Sequence, residues 1–326
     1  MSRPRPVLGL VVLAILAGAS MLVALRVGAA RGSLLVAWRD PASLDRAVLV
    51  ARGARVVLGA VAGGALALVG AAFQALLRNP LGDPYALGVS GGAALGATLA
   101  VVAGAGALLV PAAAFVGATI AMIAVLGAAR ALGRGGAATL LISGLVFNAC
   151  ANAALALLRT MVSATKAQET LALLLGFVAE ERWSTVGIVS ILVAVGSLVL
   201  FAFSKAMNLL TLGSESAASL GVDVRRAELA IFVAASLVVG GVVSVCGLIP
   251  FVGLVVPHYV RSWTGPDHRV LLPACFLGGA ALLVTADLCT RLLFIRLGSE
   301  PPVGALTALV GGPFFFVVLR RMRTGG

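Results

Sequence analysis

Apolar runs long enough to cross a bilayer recur along almost the whole chain, and no other feature limits the possible folds so sharply. They lie near 7–25, 55–77, 88–109, 111–129, 137–158, 184–203, 228–246, 249–263, 271–290 and 303–319, separated by Arg, Pro, Asp or Gly. A helix needs about 20 residues to cross the hydrocarbon core. In lipid it satisfies its own backbone N–H and C=O groups. The pattern predicts an all-α integral membrane protein of about ten transmembrane helices, with both ends on one side. The shortest run, 249–263, carries Pro250 and Pro257, which should keep it from being a regular helix.

With 61% hydrophobic and 11% charged residues and a mean hydropathy of +1.12, the chain is too apolar for a water-soluble domain. Ten spans and short connections use up its 326 residues, so one transmembrane domain over 1–326 is expected. The run 7–25 follows Arg3 and Arg5 as the apolar core of a secretory signal would. Its length favours a retained first span, and the basic start keeps the N-terminus cytoplasmic.

The net charge is +12, and 22 of the 24 basic residues are Arg. In a membrane protein such an excess sits near headgroups or in cytoplasmic loops, so nucleic-acid binding is not implied. With the N-terminus inside, 13 Lys and Arg fall in cytoplasmic segments and 11 outside, so charge alone barely sets the orientation. Six Arg crowd from Arg26 to Arg55, and something acidic outside is their expected partner. The four Cys (150, 246, 275, 289) lie in apolar stretches without C-x-x-C spacing, so they read as small buried hydrophobes. His258 and His268, without a carboxylate or Cys cluster, make a poor metal site. No metal is expected.

Four segments stand out from the apolar background. Asn79-Pro80-Leu81-Gly82-Asp83-Pro84-Tyr85 through Gly92 has two prolines that bar a continuous helix, while Asn79 and Asp83 can take up the freed backbone donors. Leu212 through Arg226 falls in the longest cytoplasmic loop, about 204–226. There Ser214 reads as an N-cap, Glu215 suits a first turn, Gly221 is a natural stop, and Asp223 can cap the next helix. The third segment runs from Gly247 through Arg261 into Gly265-Pro266-Asp267-His268-Arg269, and the fourth joins Asp287 and Arg291 to Glu300-Pro301-Pro302 and Gly311-Gly312-Pro313.

In this order and spacing, the four segments resemble the permease family that imports ferric siderophores, haem and cobalamin. The resemblance covers roughly residues 45 to 321 and implies the type II ABC importer permease fold. It also implies a homodimer in the bacterial inner membrane with two ATPase subunits and one periplasmic substrate-binding protein. ATP and Mg would be used by the partner ATPase, and no cofactor is expected on this chain. Position by position, Ser214, Glu215, Ala217, Ala218, Leu220 and Gly221 match the helix that docks on the ATPase. Arg52, Arg55 and Arg291 match arginines that meet acidic residues of the binding protein. Asn79 and Leu81 match positions that narrow the cytoplasmic end of the pathway, and Ala137 and Ala138 the head of the fifth helix. Two departures stand out: other members carry hydroxyl residues at that head, and Gly53-Ala54 replaces the usual Leu-Pro between the paired arginines. An iron chelate is the expected cargo, with cobalamin or haem as the alternative.

Asn148 and Asn152 share one face of the fifth span and join Asn79, Leu81, Ala137 and Ala138 as candidates to line the pathway, with bonding between helices as the rival. Gln74 poses the same choice. Asp287 is either a relay carboxylate or the i+4 partner of Arg291. A secondary transporter would need a mid-membrane ion site, and apart from Asp83 and Asp287 no such residue is evident. A membrane enzyme would need a nucleophile–base pair or an H-E-x-x-H helix, and ATP hydrolysis a G-x-x-x-x-G-K-[ST] loop. The chain has none of these.

Overall fold

The computed structural model describes residues 6–27, 40, 43–85, 87–106, 109–131, 137–179 and 181–324, and among them no strand occurs. Thirteen helices follow one another: α1 (Pro6–Arg26), α2 (Leu44–Leu76), α3 (Val89–Val102), α4 (Leu109–Ala131), α5 (Ala137–Thr160), α6 (Ala164–Leu175), α7 (Trp183–Ala202), α8 (Ser204–Leu210), α9 (Ser214–Ser219), α10 (Val224–Cys246), α11 (Val252–Thr264), α12 (His268–Leu297) and α13 (Val303–Thr324). Seven of them, α1, α2, α4, α5, α7, α10 and α12, are long and apolar enough to cross a membrane. The remaining three expected runs form α3, α11 and α13, of which α3 and α11 are short and α13 is apolar only over Val303–Phe315.

The spans differ in what surrounds them. α2 and α10 are largely buried, whereas α1, α4, α5 and α7 bury only a third or less of their apolar windows. Ile15, Ile123, Leu157 and Leu198 stand exposed on those outer helices, as bilayer-facing residues do. α2 is the central post, packed by α12, α11, α10 and α7. Between helices in lipid there is no hydrophobic drive, so association depends on close packing of small residues. Gly63 of α2 faces Gly279 of α12 so closely that a side chain on either would enter the other backbone. Gly92 and Gly96 of α3 stand in the same way against Gly117 and Ala113 of α4.

Three elements differ from what the sequence predicts. α2 begins at Leu44, about three turns before the apolar run, because Ser43 accepts the Arg46 N–H at 3.3 Å and caps it there. Polar residues at a helix start do not shorten the helix. α6 was not expected at all: it is twelve residues long and carries Lys166 and Gln168, below the length and apolarity of a span. α11 is a helix despite Pro257. A proline there has no N–H for the Gly253 carbonyl one turn back. Gln74 of α2 supplies one instead, its Nε2 donating to the Gly253 and Leu254 carbonyls at 3.4 Å, while its Oε1 accepts from Arg261 at 3.2 Å. Gln74 thus bonds between helices.

Candidate functional site

At the first-turn end of α2, the chain gathers charges from distant parts of its sequence. The Arg55 guanidinium donates to Asp287 of α12 at 2.7 and 3.1 Å and also bonds Glu300, just before α13. Arg291 Nε lies 3.1 Å from the other Asp287 oxygen. Its Nη1 donates to the Ala24 and Val27 carbonyls at 3.1 and 3.4 Å, so a cation closes the C-terminal end of α1, where the helix dipole favours positive charge. Of the two roles open to Asp287, the ion pair is the one seen.

Arg52, Arg55 and Arg291, which the resemblance matches to a binding-protein dock, do not stand as free surface cations. They are 6%, 7% and 6% exposed, because Asp287 and Glu300 of the same chain reach Arg55, and Asp287 reaches Arg291. Glu300, with 32% of its side chain exposed, is the open side of the network. Of the six crowded arginines, Arg31 and Arg39 lie outside the described residues.

At the other end of α2 a cavity of about 410 Å³ opens between the α2–α3 loop, α5, the start of α11 and α13. Leu81, Asp83 and Tyr85 line it with Leu141, Leu145, Phe251 and Phe315. The loop's shape follows from its side chains. Asn79 Oδ1 accepts the Leu81 N–H at 2.9 Å, and Asp83 Oδ1 accepts the Tyr85 N–H at 2.9 Å, two Asx turns of the kind prolines require nearby. Asp83 also accepts the Phe251 N–H at the positive end of α11. Phe251 takes a left-handed φ of 69° there. Burial pushes the Asp83 carboxyl up to about 6, against the pull of those two N–H groups.

Asn148 of α5 donates to the Tyr85 carbonyl at 2.5 Å, holding the loop rather than facing open space. Asn152 is exposed one turn on. Ala137 and Ala138 open α5, but their side chains lie outside the described residues. Asp83, Tyr85, Leu141, Leu145 and Phe251 were not singled out by sequence as cavity residues. Asp83 lay inside the quoted motif, whereas the two leucines are anonymous in an apolar run.

The 204–226 segment holds two short helices. α9 is capped by Gly213, with no side-chain bond, so Ser214 is the first helical residue and not the N-cap. The turn before it is closed by backbone, the Ala217 N–H donating to the Gly213 carbonyl at 2.8 Å. At the far end the Val222 N–H reaches Ala217 and the Gly221 N–H reaches Ala218, both at 3.0 Å, with Gly221 at φ 87°. That is a Schellman stop, which needs a residue at ease in the left-handed region. Asp223 then caps α10 through the Arg226 N–H at 3.1 Å. Ala217 is fully buried beneath α9, while Glu215, Ala218 and Leu220 face outward. Arg78, after α2, stands beside Gly213, so this knob lies at the opposite end of α2 from Arg55. The 23 steps from Arg55 to Arg78 span about 35 Å at 1.5 Å per helical residue.

Comparison with known proteins gives this arrangement its relatives. A cobalamin import permease of Halobacterium salinarum is 42% identical over 267 residues, covering 82% of this chain and 71% of its own length. A hemin transport permease of Yersinia pestis is 38% identical over 274 residues, covering 82% and 81%. The Fe(3+) dicitrate permease protein FecD of Escherichia coli K12 is 34% identical over 306 residues, covering 89% and 90%. Among solved structures, an inward-facing metal-chelate type ABC transporter matches 97% of this chain and 99% of its own, with a TM-score of 0.82 and 27% identity. The fold is that of a type II ABC importer permease. The family's members are membrane permeases and not enzymes, hydrolysis being the work of a separate ATPase subunit. The model of the FecCD transport family matches residues 7–321, and the chain belongs to that family.

Proposed function

We propose that this chain forms the pathway of an ATP-driven importer of metal chelates in a bacterial plasma membrane. Two copies pair, with two ATPase subunits below and one periplasmic binding protein above, and both termini are cytoplasmic. ATP and Mg are consumed by the ATPase. The observation that carries the reading is α9: a short helix, stopped by Gly221, with one residue buried and Glu215, Ala218 and Leu220 presented outward. A capped knob on a membrane bundle is a grip for a partner, and in an importer that partner is the ATPase.

Asn79, Leu81 and the Ala137–Ala138 head of α5 flank the inner end of the pathway, by way of the cavity that Leu81 lines, and Asn148 holds the loop that forms its wall. Cargo meets apolar walls there, as suits a pathway that releases what it carries. Outside, the binding protein meets the network of Arg52, Arg55 and Arg291 from the Glu300 side, and its acids compete with or join Glu300. Electrostatic steering sets the encounter rate.

Two cargo readings remain, each with its own support. A ferric siderophore is favoured by its frequency in the family. A corrinoid or haem is favoured by identity, 42% and 38% to permeases for cobalamin and hemin against 33% to an iron(3+)-hydroxamate permease. Uptake into proteoliposomes carrying the permease, its ATPase and binding protein, offered labelled cyanocobalamin, haem and a ferric hydroxamate in turn, separates them. ATP-dependent uptake of one supports the reading. Uptake of none of the three, with an active complex, counts against the cargo class.

A further inference from the structure

α9 packs mainly on α8 and α10, and it is α8 that touches α12, α2 and α7. A push on α9 therefore reaches the membrane bundle through α8 as well as α10. What α8 holds at its far side is specific. The Asn208 carboxamide donates from Nδ2 to Asp267 Oδ1 at 2.7 Å. Its Oδ1 accepts two bonds from His268, the backbone N–H at 2.9 Å and the ring Nδ1 at 2.6 Å. A carboxamide oxygen cannot donate, so Nδ1 carries the proton. Asp267 is at the same time the N-cap of α12, accepting the Arg269 N–H at 3.0 Å.

One side chain thus takes hold of the first residues of a helix of 30 residues, about 45 Å long. That helix leads to Asp287 and Arg291, in the network that ties α12 to α2 and to the end of α1. His268 is 2% exposed and its Nε2 is buried without a partner. A buried donor or acceptor left unmade costs stability, and an apolar residue there would avoid that. What the imidazole adds is its Nδ1–H on Asn208.

From this geometry we infer that Asn208, Asp267 and His268 form a clasp that passes displacement of the α8–α9 segment to α12. They are positioning residues for coupling between ATPase and pathway. The inference rests on the importer reading above. It adds a second connection, between the docking helix and the outer network, that the assignment of α9 does not contain.

The test uses the full complex in proteoliposomes, reading uptake and ATP hydrolysis together. Asn208→Ala and His268→Phe should still bind the ATPase and sustain basal hydrolysis, while uptake per ATP falls about tenfold, the equivalent of one strong hydrogen bond. His268→Asn keeps a donor near the Nδ1 position and should recover most of the ratio. A normal ratio in Asn208→Ala, or equal loss in His268→Phe and His268→Asn, overturns the clasp; the latter means that the ring acts by packing alone. If the unaltered chain binds no ATPase, the importer reading falls instead, and amide exchange of the detergent-solubilised chain then judges the clasp. Faster exchange in α8 and the first turn of α12 in Asn208→Ala supports it, and unchanged exchange overturns it.

Discussion

The two ends of α2 are held by different physics. Near Arg55 the grip is ionic and buried: Arg55, Asp287 and Arg291 are each 7% exposed or less. Near Arg78 it is a set of turns, caps and a proline-freed carbonyl, made by side chains bonding backbone, with a helix whose outer face is open to solvent. Buried charges hold one arrangement and punish any departure, since removing one partner strands the other. Hydrogen bonds near water, such as those that close the exposed α9, exchange at little cost. The outer end is built as a fixed point and the inner end as an adjustable one, which suits a pathway driven from the cytoplasm.

Breaking the fixed point should have the largest effect. Asp287→Ala leaves Arg55 and Arg291 without their shared carboxylate and should destabilise the protein by about 3–5 kcal/mol. Thermal unfolding in detergent, followed by size-exclusion fluorescence, reads this directly. The triple change Arg55→Met, Asp287→Leu and Arg291→Met should cost less than Asp287→Ala alone, because neither arginine that Asp287 pairs is then left as a stranded buried charge. Equal losses in the two would remove the ionic account.

Next in size is the α2–α12 contact that carries the fixed point. Gly63→Val must push against the Gly279 carbonyl and Leu283, and a backbone carbonyl cannot swing aside. A loss of about 1–3 kcal/mol is expected, measured in the same unfolding assay. Gly18→Val, where the side chain would meet open space, should change almost nothing.

At the adjustable end, damage should appear in transport before stability. Gly221→Pro forbids φ 87° and Leu220→Asp alters the exposed rim of α9, so uptake should fall while insertion and thermal stability stay near wild type. Both variants transporting normally would dissociate α9 from coupling. Asp83 offers a pH test of the same end. Its folded-state pKa is raised to about 6 from 3.8, so the folded state binds the proton more tightly. This group's contribution to stability should therefore decline as pH rises from about 4 to 6, and Asp83→Asn should flatten that part of the profile.

The smallest effect belongs to an exposed pair. Arg226 lies 3.0 Å from Asp223, with both side chains mostly in solvent. Arg226→Ala should cost less than about 0.5 kcal/mol, against several for Asp287→Ala.

Much of this was legible in the sequence because the relevant physics is local. Ten apolar runs mark where helices lie, the Gly221 stop and the Asp223 and Asp267 caps follow from residue type, and the Asn79 and Asp83 turns follow from their neighbouring prolines. Of the outer network only the Asp287–Arg291 pair, four positions apart, was legible. Arg55 meets Asp287 across 232 positions, and nothing local says that a carboxylate will fold back onto an arginine already assigned to an outside partner. Gln74 reaching the carbonyl freed by Pro257 is a second such case, as is Asn208 on His268. α6 shows a different limit, since a short helix among spans is too polar to register as a span and too brief to announce itself by caps.

The most direct measurement is of hydrolysis and uptake by the chain with and without its ATPase. The purified chain alone should hydrolyse no ATP. Reconstituted with the ATPase, it should support hydrolysis that the binding protein stimulates, together with uptake that stops when ATP is withheld. Robust hydrolysis by the chain alone, or uptake driven by an ion gradient in vesicles lacking the ATPase, would contradict its assignment as the permease of an ATP-driven importer.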